Sequence, residues 1–133
     1  MSELAKSYFR WFRGDKSFEW AREGIEEKFD ENLEKAWEVT LDLIAQAPSK
    51  DCLSYVAAGQ LEMLVSNDGE RLLDLIREEA KHNKNLLYAM SGVWISKDEP
   101  IYQKYYECLS ILLAEQGIGT EDDFDNLVDL PDK

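Results

Sequence analysis

The chain has 133 residues, with 28 acids against 15 bases, a formal net charge of −13 at pH 7 and 44% apolar residues. The apolar share argues against wholesale disorder. The excess of acids argues against a nucleic-acid or anionic-membrane surface, since both need clustered Lys and Arg. One domain is expected at this length, with a core large enough to stand without disulfide or metal staples.

The elements are predicted in chain order from apolar spacing and breakers. Leu4, Tyr8, Trp11 and Phe12 recur at helical spacing, Gly14 stops that helix, and Asp15 or Ser17 caps the next. The second helix carries Phe18, Ala21, Ile25 and Phe29 on one stripe, with Trp20 off it. From Asn32, the series Leu33, Trp37, Leu41 and Ile44 marks a third helix. Pro48 ends it near Ala47, because the residue before proline avoids helical geometry. Ser49 caps a segment through Leu53, Val56, Ala57 and the Ala58-Gly59 pair, where Gly59 is read as a kink or a close approach between helices.

Asn67-Asp68-Gly69 is predicted to be a compact turn, followed by a central helix with Leu72, Leu73, Leu75, Ile76 and Ala80. Asn83 or Asn85 starts another, with Leu86, Leu87, Met90, Val93 and Trp94 facing inward. After a polar connection from Ser96 to Pro100, Tyr102, Tyr105, Tyr106, Leu109, Leu112 and Leu113 form the cleanest stripe, closed by Gly117 and Gly119. Thr120 with Asp123 reads as a capping box for a short helix through Phe124, Leu127 and Val128. From Asp98 onward there are ten acids and two bases. The expected fold is all-α: six to eight helices in antiparallel hairpins, as a short helical-repeat-like array or an irregular bundle. Residues 1–119 make the helical domain and 120–133 an acidic C-terminal tail.

Few residues invite chemistry. His82 is the single histidine, in a polar junction where a solvated ring is expected. Cys52 and Cys108 sit in apolar helical contexts and read as buried free thiols. No metal-ligand spacing is present, and Gly117-Ile118-Gly119 follows a helix, so it reads as a C-cap and not a phosphate loop. No catalytic residue, metal or cofactor is therefore expected. Neither a targeting segment nor a membrane span is read, and the cytoplasm is the expected compartment. Most aromatics read as packing; Trp20, beside acids, is the one read as an interface anchor.

The stretch from Ala36 to Trp94 resembles a bacterial family of unknown function. The residues that carry the likeness are Trp37, the run Ala57-Ala58-Gly59-Gln60-Leu61-Glu62-Met63-Leu64, then Gly69, Ala80 and Gly92-Val93-Trp94. That family has an Ala-Gly-x-Leu-Glu-x-Leu motif and a Gly-x-Trp end; Gln60 stands where proline is expected, and the Tyr102–Lys133 region has no clear counterpart. Its structural residues map to Trp37, Ala58, Gly59, Leu61, Glu62, Gly92 and Trp94, with Glu62 expected to stay solvated or to reach a neighbouring helix terminus. In general character the chain also resembles immunity proteins of bacterial toxin systems, including contact-dependent growth inhibition. That likeness implies a non-catalytic acidic module that neutralises a basic, nuclease-like toxin. Glu121, Asp122, Asp123, Asp125, Asp129, Asp98, Glu99 and Trp20 are the expected partner contacts. A helical-repeat adaptor and a small-molecule enzyme using carboxylates remain the alternatives.

Overall fold

The computed structural model describes residues 2–133, and Met1 lies outside them. Among the described residues the chain is all-α and forms no strand. Helix α1 spans Ser2–Phe12, α2 Glu19–Glu31, α3 Leu33–Gln46, α4 Lys50–Val56, α5 Glu62–Ala80, α6 Lys84–Met90, α7 Tyr102–Glu115 and α8 Glu121–Asp125. A 3-10 turn at Lys16–Phe18 precedes α2, and a π-helical turn at Ala57–Leu61 joins α4 to α5.

Local chemistry sets most of the boundaries. The side chains of Asn32, Ser49, Asn83 and Thr120 accept hydrogen bonds from the amides of Lys35, Cys52, Leu86 and Asp123, one cap for each of α3, α4, α6 and α8. Each such cap is worth about 1 kcal/mol. Gly14 and Gly117 adopt φ of 109° and 75°, which only glycine takes without strain. In both, the following residue donates back across the last turn, Asp15 N–H to Arg10 at 3.1 Å and Ile118 N–H to Leu113 at 2.9 Å.

The core is organised around the short helix α6, whose Leu86, Leu87, Ala89 and Met90 are all buried. It packs against α3, α4, the π-helical turn, α5 and α7, while α1, α2 and α3 form a three-helix unit at the N-terminal side. In a stacked repeat each hairpin touches only its neighbours. Here one helix is surrounded by five elements, so the arrangement is an irregular bundle. Tyr105 is buried, donating to the Met90 carbonyl at 2.6 Å and fastening α7 to the end of α6.

Four local expectations are corrected. Asn67-Asp68-Gly69 does not separate two helices. Asp68 takes non-helical angles (φ −133°, ψ 19°), but α5 continues through as a kinked helix. Its Gly69 faces Ile101, whose Cγ1 would lie 2.6 Å from an added Cβ. Gly59 is not a close-approach residue, since a Cβ there would meet nothing within 4 Å; it sits in the π-helical turn. Trp94 points outward and is 70% exposed. The cause is that α6 ends at Met90: the chain leaves helical geometry, and alternate residues Val93 and Ile95 turn inward instead. Leu75, assigned to a central helix face, is 53% exposed.

Candidate functional site

The acidic residues expected to meet a partner fall on the C-terminal segment and on the loop before α7. Glu121, Asp122, Asp123 and Asp125 lie on α8, and Asp129 follows it; all five are exposed. The segment is docked on the body. An α-helix leaves its first amide N–H groups without helical partners. At α4 the Lys50 and Asp51 amides donate to the backbone carbonyls of Pro131 and Asp132 at 2.8 and 3.0 Å. The Lys50 ammonium adds a bond to the Asp125 carbonyl at 2.7 Å. Phe124 stacks on Tyr88 of α6 with ring centres 4.6 Å apart, and Leu127 and Val128 are buried. Asp51 and Asp132 join Asp125 around Tyr88, and these carboxylates add to desolvation in raising the phenol's pKa.

Asp123 has a different duty from its neighbours. Its carboxylate accepts from the Gly119 and Thr120 amides at 3.0 and 3.2 Å, closing a capping box with Thr120. Those bonds, the one from Gly119 foremost, hold its pKa below the ordinary aspartate value. Glu99 is likewise engaged, accepting from the Ser96 amide at 3.1 Å inside its own loop. Asp98 is exposed on that loop. Trp20 is 53% exposed on α2, whose helix contacts are with α1 and α3. The acids of α8 are thus brought together on one small surface; Trp20 sits on a separate unit of the bundle.

The motif residues converge on the π-helical turn. Glu62, just beyond it, accepts from the Trp94 amide at 2.8 Å. Gly92 packs so closely on Ala57 that an added Cβ would lie 3.1 Å from the alanine methyl. Tyr106 completes the clamp, donating to the Val93 carbonyl at 2.9 Å and accepting from the Ile95 amide at 3.1 Å. The segment after α6 is therefore bolted across the turn at both ends, and the half-buried Glu62 is a positioning residue that reaches the backbone just past the end of α6. Trp37 is half-buried against the core.

Beside this turn lies a cleft of about 400 Å³ walled by α1, α2, α4, the turn itself and the start of α5. Tyr8, Phe29, Tyr55, Gly59, Gln60 and Met63 line it together with the carboxylates of Glu26 and Asp30. Gln60 donates to the Tyr8 hydroxyl at 3.1 Å, while among the described residues its own buried Oε1 has no partner. Burial of the Tyr8 phenol raises its pKa well above the usual value. Sequence periodicity assigns Tyr8 and Phe29 to packing and gives Tyr55 and Met63 no role. The available signal was the lone glycine inside an apolar helical run, but its use depends on the π-type register, which shifts the residues after it.

The residues that could carry other chemistry are apart. The His82 side chain is 73% exposed, with Glu79 3.9 Å away. Cys52 and Cys108 are both buried free thiols, and burial raises the pKa of Cys108. Among the described residues no group of three or more His, Cys, Asp or Glu could hold a metal ion, and no helix is long and apolar enough to cross a membrane.

A family model with the description "Family of unknown function (DUF6869)" matches residues 12–108. The match extends on both sides of the Ala36–Trp94 stretch and takes in the π-helical turn and its clamp, while α8 lies beyond it. No curated protein and no solved structure matches the chain.

Proposed function

The chain belongs to the family of unknown function DUF6869, and we propose that it is a non-catalytic binding module whose acidic C-terminal surface captures a basic protein. The role that suits this character is that of an immunity protein neutralising a nuclease-like toxin domain. The observation that carries the reading is the docking of the tail: backbone bonds from α4 to Pro131 and Asp132 hold the acidic segment in place. Carboxylates on an ordered surface lose less conformational freedom on binding than those on a free tail. A net charge of −13 steers a basic partner toward them and discriminates against acidic ones. Glu121, Asp122, Asp125 and Asp129 provide the contacts, while Asp123 holds the cap of α8; Asp98, exposed on the loop before α7, is a further contact outside this segment. Trp20 is then an anchor for a second contact region.

The test is capture of partners by the tagged protein from a lysate of its own organism, washed at low and then at moderate salt. One stoichiometric basic protein, released as the ionic strength rises, is the expected result. Retention of nothing at low salt would remove the proposal.

A further inference from the structure

We propose that the cleft beside the π-helical turn is a binding site for a small organic cation, an ammonium or guanidinium group on an apolar body. This site is separate from the acidic C-terminal surface and does not depend on the protein-binding role. The volume of about 400 Å³ falls in the range of small-molecule sites. Its lining selects for charge. Among the described residues, every charged side chain in it is an acid, Glu26 or Asp30, and no Lys or Arg contributes. Arg22 engages Glu26 through one oxygen at 2.7 Å, and among the described residues Asp30 has no ion pair.

The remaining lining points the same way. Tyr8, Phe29 and Tyr55 are part of the lining, and aromatic rings attract cations and pack on apolar bodies. Met63 is 50% exposed, and its thioether adapts to ligand shape. Gln60 belongs to the lining, and among the described residues its buried Oε1 has no hydrogen-bond partner; a bound N–H donor that reached it would relieve that unsatisfied acceptor. Gly59 keeps the space open, since a Cβ on it would meet no atom within 4 Å. Because its backbone is not in the left-handed region, a larger residue there fills the cleft without strain.

The site is tested by following backbone amide resonances of the purified full chain, at near-physiological salt, during titration with phenethylammonium. Titrations with 2-phenylethanol and 3-phenylpropionate run in parallel, so that ligand size is nearly constant while charge changes. The expected result is a saturable shift centred on Gly59, Gln60 and Met63, with a Kd of roughly 1 mM or tighter for so small a ligand. The alcohol is expected to bind about tenfold more weakly, a typical loss for one cation–π or charge-assisted contact, and the carboxylate not at all. Gly59→Leu is expected to abolish the shifts in a folded protein, and Asp30→Asn to weaken binding severalfold. Binding that survives Gly59→Leu is diffuse attraction to an acidic protein and overturns the site. Equal affinity for the alcohol overturns its chemistry, as does the absence of saturation. Tighter binding of an arginine-containing tripeptide than of the free ammonium would show that a protein side chain, and not a small molecule, is the occupant.

Discussion

At the scale of single residues, two glycines inside helical segments carry opposite expectations. Replacing a helical glycine by alanine ordinarily stabilises a protein by up to about 1 kcal/mol. Gly59→Ala is expected to do so, because its new methyl meets open space. Gly69→Ala puts a methyl 2.6 Å from Cγ1 of Ile101, which can move away only by rotating χ1 of a side chain buried in the core. Overpacking of that kind costs about 1–3 kcal/mol and outweighs the propensity gain. Urea denaturation should therefore move the midpoint up for Gly59→Ala and down for Gly69→Ala, and the second loss should shrink in an Ile101→Ala background. Sequence alone could not separate these positions. Gly59 looks like the tight one because it follows two alanines, whereas the atom that crowds Gly69 arrives from a residue 32 positions later.

At the scale of elements, legibility follows the range of the interaction. The caps at Asn32, Ser49, Asn83 and Thr120 reach only three residues along the chain, so Ser49 and Thr120 are read directly from spacing, Asn32 marks the start of its helix, and only the choice between Asn83 and Asn85 stays open. The outward turn of Trp94 was hidden, because a helical stripe can be extended on paper past the point where α6 ends. Helix α8 offers a test that uses a local device. The Asp123 carboxylate has its pKa held below the ordinary value of 3.8 by the Gly119 and Thr120 amides. A carboxylate with a depressed folded-state pKa stabilises the folded form above its unfolded value, and that contribution fades as the pH falls through the folded one. The cap should thus be intact at neutral pH and weaken as the pH drops below about 4. Amide resonances of Gly119 and Thr120 should report this loosening, and Asp123→Asn, which has no charge to lose, should flatten the step.

At the scale of the whole molecule, charge and class were readable while arrangement was not. An all-α chain rich in acids follows from the scarcity of breakers and from 28 acids in 133 residues. That α6 is the hub, and that residues 130–132 return to the start of α4, depends on pairings between distant segments that leave no periodic trace. The same return converts a charged tail into a fixed surface, on which the binding proposal rests. The most direct test compares capture from the same lysate by the wild-type chain and by a variant with Asp122→Asn, Asp125→Asn and Asp129→Asn, at low salt. Asp123 is left intact so that α8 keeps its cap. The basic partner retained by the wild type is expected to be lost or much reduced with the folded variant, while α8 stays docked. Equal retention by both chains would show that the partner binds elsewhere and would contradict the assignment of this surface.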